Sequence, residues 1–186
     1  MNVKNYLYLV IASLLSWWLV KLTGLDEIIN TSHAPPHSTD YYSKGYIKWE
    51  MNEHGQLKSK LQADQMFHYR DDGSTVMVKP LMYSYDQKNP PWVMASESGI
   101  MSADGKNLQL NGSVAIDRTR GVGLRPLRIN TSNLKVKPET SYAETVEWAE
   151  LISPPNKTTG TGMKMTYAQP IHLELLSQVK GKYETK

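Results

Sequence analysis

The chain has 186 residues and no cysteine, which excludes a disulfide scaffold, a zinc–cysteine site, a thiol nucleophile and a lipid-modified cysteine anchor. Lys4 and Lys21 are the only charged residues among the first 25, so the rest of the chain carries 19 basic and 18 acidic side chains. This near-neutral balance argues against a nucleic-acid-binding protein, and the length predicts one domain with an appendage.

The first predicted element is a membrane anchor at residues 1–25. Tyr6–Val20 carries no charge, and the apolar run reaches about 20 residues, or roughly 30 Å of helix, if Lys21 snorkels. Trp17 and Trp18 lie near one end, as expected for an interfacial aromatic belt. A cleavable signal peptide is the alternative, but the tryptophans and Lys21 occupy the place of small cleavage-site residues. Lysines on both sides leave the orientation of this anchor open.

Residues 26–40 are predicted to be a linker, because Pro35-Pro36 and many Ser and Thr residues do not form a packed element. The body, 41–186, shows β periodicity with turn residues between its apolar stretches. We expect two long loops in it, at 119–126 and 153–162, and a possible helical turn at 143–150. The predicted strands and hairpins are Tyr42–Met51, Leu61–Val78, Val76–Tyr85, Ile100–Ile116, Leu134–Trp148 and Met163–Val179.

The clearest hairpin is Ile100–Ile116. Asp104-Gly105 supplies the positive φ of a tight turn, and apolar residues then alternate with polar ones from Leu108 onwards. Gly112 falls on the buried side of this alternation, which suggests a bulge or the close approach of another group. Such hairpins in series predict an antiparallel β-sandwich. Its interior is rich in Met (9) and Tyr (11), which suits an apolar ligand as well as an ordinary core.

Groups that could support catalysis or bind metal are scattered. His33 and His37 lie in the predicted linker, and Asp71-Asp72-Gly73 lacks the spaced ligands of a calcium loop. Glu144, Glu147 and Glu150 would form a solvated face rather than a glycosidase pair. The sequence therefore predicts no catalytic residue, no metal site and no cofactor.

One basic cluster stands out, in and beside the loop at 119–126. It could bind the phosphates of a headgroup or simply solubilise the loop. Its members are Arg118, Arg120, Arg125 and Arg128. From the residues alone, the protein is a membrane-tethered β-sandwich that binds or scaffolds.

The order and spacing of several short motifs resemble the LptC family, the bitopic component of the bacterial lipopolysaccharide export machine. Leu110-Asn111-Gly112-Ser113-Val114 also resembles the periplasmic bridge protein of that system, which lacks an anchor, so the anchor decides for LptC. The resemblance covers nearly the whole chain. The other motifs are Gly55-Gln56-Leu57, Leu61-Gln62-Ala63, Lys79-Pro80-Leu81, Pro91-Trp92, Gly105-Lys106, Gly162-Met163-Lys164-Met165, Val179 and Tyr183-Glu184.

This resemblance implies an all-β fold: a twisted, open antiparallel β-jellyroll of two packed sheets, preceded by one transmembrane helix. It implies a non-enzymatic conduit in the inner membrane, with a cytoplasmic N-terminus and a periplasmic body that holds lipopolysaccharide acyl chains. The implied partners are lipopolysaccharide, the transporter complex LptB, LptF and LptG at the N-terminal edge, and the bridge protein LptA at the C-terminal edge.

By local alignment with the family, lipid-contacting positions fall on Tyr46, Met77, Leu173 and Tyr183. Two family positions differ here, at Pro155 and Gln178, and no role is transferred to them. The main alternative is a tethered scaffold that binds proteins only, and a weaker one is an anchored hydrolase acting on envelope glycans.

Overall fold

The computed structural model describes residues 3–22, 37–86, 89–121 and 123–183. The chain divides into two compact units, Met1–Ser38 and Thr39–Lys186. Most of the predicted linker, 26–36, lies outside the described residues, whereas Thr39 and Asp40 already belong to a strand.

In the first unit, α1 spans Val3–Leu22. Among the residues that the structure describes, no helix meets the combined requirements of length and apolarity for crossing a membrane. The transmembrane helix predicted from the sequence is therefore not confirmed.

The second unit is an antiparallel sheet of ten strands in which neighbours along the chain are neighbours in space. The order is β1-β2-β3-β5-β6-β7-β8-β9-β10, and β4 pairs with β2 and β5 as the continuation of β3. The strands are β1 Thr39–Met51, β2 Leu57–Tyr69, β3 Thr75–Val78, β4 Leu81–Ser84, β5 Trp92–Met101, β6 Leu108–Arg118, β7 Leu127–Lys137, β8 Tyr142–Ser153, β9 Asn156–Thr166 and β10 His172–Lys182.

The all-β prediction is confirmed, and the predicted hairpins correspond to β2–β3, β5–β6, β7–β8 and β9–β10. The predicted strand Val76–Tyr85 is interrupted at Pro80, whose ring blocks continuous pairing. The two packed sheets expected from the resemblance are not separately paired, because all ten strands belong to one continuous sheet.

Two local predictions were wrong. The segment 153–162 is not a long loop, because only Pro154 and Pro155 separate β8 from β9. Gly160 and Gly162 belong to β9, where an added Cβ would come within about 3 Å of the Leu175 and Leu176 side chains of β10. The segment 143–150 contains no helical turn, since it lies within β8 and pairs with both neighbouring strands.

A line of irregular positions crosses the sheet at mid-strand, and we call it the bulge row. Register shifts occur along it between β5 and β6 and in every later pair of strands. Because a bulge bends its strand and increases the local twist, a row of bulges folds the sheet along that line. The bulge row consists of Lys79, Glu97, Gly112, Asn133, Glu147, Gly162 and Gln178.

Polar contacts connect successive members of the bulge row. The Lys79 amide donates to the Glu97 carbonyl at 2.9 Å, and the Gly112 amide donates to Asn133 Oδ1 at 3.2 Å. Asn133 Nδ2 in turn donates to Glu147 Oε1 at 3.4 Å. The first two bonds satisfy backbone amides that the interrupted ladder leaves unpaired, and the third joins two side chains. The bulge predicted at Gly112 is thus confirmed, with a φ of 75° at this residue.

The interior faces on the two sides of the bulge row share one core. Its buried apolar side chains come from β2 through β9, together with Tyr167 just after β9. Trp92, at the start of β5, donates its indole N–H to the Tyr167 carbonyl at 3.0 Å. Because β5 and β9 are not neighbours in the sheet, this bond joins two parts of the sheet through the interior.

Candidate functional site

The interior face of the sheet carries three of the four lipid-contact positions expected from the family resemblance. Residues directly opposite each other on paired strands share a face. Tyr46 lies opposite Ala63, Met77 opposite Met66, and Leu173 opposite Met165. All three partners are buried in the core, so these three side chains face inward.

The three inward positions differ in depth. Met77 is fully buried, whereas Tyr46 and Leu173 are partly buried against the core. Burial raises the pKa of the Tyr46 hydroxyl above its usual value, and nearby Tyr41 adds to the rise. A cleft of about 420 Å³ beside Tyr46 is also lined by Ile47, Gln62 and Leu81. These three residues lie opposite one another and alternate with the inward positions, so this cleft opens on the outer face of the sheet.

Tyr183 lies at the other end of the sheet, just beyond β10, and is 68% exposed. Its ring sits over Gly181, and its hydroxyl is 3.3 Å from Thr158 Oγ1. Thr158 pairs with Leu151, which packs against the core. Tyr183 therefore lies at the margin of the interior face, exposed because no described strand pairs beyond β10.

These four residues are not clustered at a single point. They follow the interior face from the first strand of the sheet to the last, and β1 and β10 each pair with one strand only among the described residues. At the end of the fold beside Leu61, Met82 and Met101, the remaining space is about 20 Å³, close to the size of a single water molecule.

A second cleft, of about 660 Å³, opens at the end of the fold where Trp92 meets Tyr167. Arg118 places its guanidinium over the Trp92 ring, 4.6 Å from the centroid. Among the described residues, the buried side-chain polar atoms without a hydrogen-bond partner are Arg118 Nε and the Tyr167 hydroxyl. Burial, and to a smaller degree Glu50, raises the pKa of Tyr167.

The sequence did not predict that Trp92, Arg118 and Tyr167 lie close together. It singled out Arg118 within a basic cluster and Trp92 within a family motif, but not as neighbours. Arg118 follows the alternation of β6, two residues after buried Ile116, and this period was the available signal for its inward position.

The glutamates considered as a catalytic group are engaged in pairs along β8. Glu144 accepts a hydrogen bond from the Tyr142 hydroxyl at 2.9 Å, and Glu147 accepts one from Asn133. Glu150 forms an ion pair with Lys157 and accepts a hydrogen bond from Asn130. These contacts hold strands together and do not converge on a cleft.

Asp71 and Asp72, considered above as part of a calcium loop, are exposed in the turn between β2 and β3. No role is assigned to them.

Comparison with known proteins gives one informative match. A protein-family model described as "Lipopolysaccharide-assembly, LptC-related" matches residues 6–184. No match to the chain was found among curated proteins. The family match covers α1 from its fourth residue onwards and all ten strands of the body.

Proposed function

The chain belongs to the LptC family, and from this premise we propose that it is a conduit for lipopolysaccharide. The family takes part in lipopolysaccharide transport and is a transport and binding component rather than a known enzyme. The proposed conduit receives lipopolysaccharide from the inner-membrane transporter and passes it to the periplasmic bridge protein. No catalytic step is part of this proposal.

The observation that carries the proposal is an apolar interior face that runs across the whole sheet and ends at two unpaired edges. Tyr46 lies on one edge strand and Tyr183 just beyond the other, with Met77 and Leu173 between them on the same face. We propose that acyl chains contact these four side chains in turn. A lipid could then enter and leave sideways without passing through a closed wall.

The energetics favour an open groove over a closed pocket. Each buried methylene contributes about 0.8 kcal/mol, so one 12-carbon chain would gain on the order of 9 kcal/mol if fully buried. Several fully buried chains would release too slowly for transfer. Partial burial along the half-exposed margins at Tyr46 and Tyr183 allows exchange, and the ATPase of the transporter would supply the work.

The two free edges are the proposed sites of protein partners. Unpaired strand edges readily accept a strand from another protein. We propose that β1 meets the jellyroll domains of LptF and LptG, which act with the ATPase LptB, and that β10 meets LptA. Interior faces joined edge to edge would form one continuous groove.

The location proposed for the protein follows the family, which is associated with the inner membrane and the periplasm. We propose that α1 contacts the inner membrane, with the N-terminus cytoplasmic and the body periplasmic. The described side chains of α1 are exposed, including Leu14, Trp17 and Trp18. A helix with apolar side chains around its surface is stabilised by an apolar environment.

A scaffold that binds only proteins is the second candidate. It is favoured by an apolar patch on the outer face of β8 and β10, where Val146 is 81% exposed and Trp148 and Leu176 are about half exposed. If the protein is only a scaffold, substitutions in the interior would affect its function only by changing the stability of the fold.

Site-specific photo-crosslinking distinguishes the two candidates. A photoreactive residue at Leu173, in the full chain in membranes, is expected to capture lipopolysaccharide. The matched control is Glu174, the next residue on the same strand, which is exposed and pairs with Lys164 on the outer face. Protein adducts at both positions, with no lipid at Leu173, would overturn the conduit and support the scaffold.

A further inference from the structure

Arg118 is a cation buried at the end of the interior face. It ends β6, opposite Trp92 on one side and Leu127 on the other, and is only 9% exposed. Its Nη2 donates to the Arg125 carbonyl at 3.4 Å, and the guanidinium stacks over the Trp92 ring. The stacking fixes the plane of the guanidinium, because a cation is attracted to the face of an aromatic ring.

No carboxylate balances this charge. In the described part of the chain Arg118 has no ion pair, and its Nε has no hydrogen-bond partner. Burial alone lowers the pKa of the guanidinium, with no opposing contribution from an acid. A buried Arg without an anion is unfavourable, so a ligand anion is the physical complement that the site lacks.

The surroundings of Arg118 add positive charge. Arg120 and Arg125 are exposed in the adjoining loop, and neither forms an ion pair among the described residues. Arg128 differs, because it is held by Asp117 through two hydrogen bonds of 2.6 and 3.1 Å. The cluster thus splits into one arginine paired with an acid and three that form no ion pair among the described residues.

Two acids lie elsewhere around Trp92. Asp86 lines the Trp92 cleft, accepts a hydrogen bond from Asn89 and follows β4, which pairs with β5 on the side opposite to β6. Glu50, on β1, acts on Tyr167. Arg118 lies on the β6 side of Trp92, so β5 separates it from β4 and Asp86.

We propose that Arg118, with Arg125 and Arg120, forms a binding site for a phosphate monoester at this end of the groove. The guanidinium fork matches two phosphate oxygens, which a lysine would not. The phosphate could belong to a lipid headgroup or be free in solution. The assignment to a headgroup rests on the proposed function, since lipopolysaccharide carries phosphates next to its acyl chains.

The site itself is tested with inorganic phosphate alone. The full chain in detergent is titrated with phosphate and followed by ³¹P NMR line width, with chloride held constant. We expect Arg118→Gln and Arg125→Gln each to weaken binding roughly tenfold or more, the loss of one charge-assisted hydrogen bond. Arg128→Gln is the matched control and should bind as the unmodified chain does.

Folding of each variant is checked by thermal unfolding. If Arg118→Gln does not fold, Arg125→Gln decides, because that side chain is exposed, and Arg118→Lys tests the need for the fork. Absence of phosphate binding by the unmodified chain would overturn the site. The site would also be overturned if the affinity for phosphate is unchanged both in Arg125→Gln and in a folded Arg118→Gln or Arg118→Lys.

The source of the phosphate is tested with lipopolysaccharide before and after chemical removal of its phosphate groups. A headgroup site is supported if the dephosphorylated lipid binds more weakly than the intact lipid and if this difference disappears in Arg118→Gln. Equal binding of both lipids, with phosphate still bound, assigns the site to free phosphate. If both lipids bind equally and inorganic phosphate does not bind, the phosphate site is overturned and the conduit proposal stands. If neither lipid binds, the conduit proposal is overturned, and the phosphate titration still decides whether the site exists.

Discussion

Trp92 and Tyr167 are joined by a hydrogen bond of 3.0 Å from the indole nitrogen to the main-chain carbonyl, although 75 positions separate them in the chain. Trp92 begins β5 and Tyr167 directly follows β9, so the bond crosses the interior instead of running along the ladder. Both residues are almost fully buried. This contact joins two parts of the folded sheet at one end, and both residues line the cleft of about 660 Å³ there.

Trp92→Phe is expected to weaken this end of the fold. It removes the bond and leaves the Tyr167 carbonyl buried without a partner, which should destabilise the protein by about 1–3 kcal/mol. Urea unfolding followed by circular dichroism measures the change. Trp148→Phe, on the outer face and half exposed, is the control and should shift stability by less than about 0.5 kcal/mol. Equal effects of the two substitutions would contradict the role given to the bond.

Gly112→Ala tests the bulge row. Gly112 has a φ of 75°, and an added Cβ would lie 2.5 Å from a carboxylate oxygen of Glu97. Gly105 has a similar φ of 70° but open space around it. We expect Gly105→Ala to lose about 1–2 kcal/mol from backbone strain alone. Gly112→Ala should lose up to about 1 kcal/mol more, because the exposed Glu97 side chain can move away only by giving up its hydrogen bond from the Ser113 amide.

A second substitution tests whether Glu97 is the cause of the crowding at Gly112. Glu97→Ala removes the crowding carboxylate, so Gly112→Ala should cost less in that background, as a double-mutant cycle would record. If the cycle shows no coupling in urea unfolding, the contact between Glu97 and Gly112 does not limit the residue at 112.

Leu173→Arg tests the lipid face. A charge placed among core-packed side chains opposite Met165 should prevent acyl chains from binding there, with a loss of captured lipopolysaccharide and of export in a complementation assay. Glu174→Arg, on the exposed face of the same strand, should leave both unchanged. Normal export with Leu173→Arg, in a variant that folds, would exclude this part of the interior as a lipid path.

Glu150 gives the protein an acid-sensitive contact. Its ion pair with Lys157, then the hydrogen bond from Asn130, lowers the pKa of the Glu150 carboxyl below its ordinary value of 4.5. A lowered folded-state pKa means that this stabilisation is present above the unfolded pKa and is lost as the pH falls through the folded one. Glu150→Gln should therefore lower the unfolding free energy by about 0.5–1 kcal/mol at pH 7.

The pH dependence of that difference is the measurement. Urea unfolding of the unmodified chain and of Glu150→Gln should converge as the pH falls well below 4.5. Glu174→Gln serves as the control, because Glu174 is an exposed carboxylate on β10. A constant difference between the unmodified chain and Glu150→Gln at all pH values would argue against the ion pair as its cause.

Much of the fold could be predicted from short stretches of sequence. The alternation after Asp104-Gly105 predicted the buried positions of β6, from Leu108 to Ile116, and they are buried. The prediction of a loop at 153–162 was wrong because Asn, Thr and Gly are typical of loops when the segment is considered alone. In the folded chain Gly160 and Gly162 form a strand since they leave room for Leu175 and Leu176. That demand comes from β10 and is not visible within the segment.

The sequence by itself determined the β class, the turns and the inward face of most strands, because the pleat of an extended chain alternates its side chains whatever lies nearby. The tertiary structure decided what depends on residues far apart in the chain. It aligned the bulge row across successive strands, brought Trp92 to Tyr167 and left Arg118 buried without an acid. These relations depend on lateral register, which each strand acquires only when its neighbour is in place.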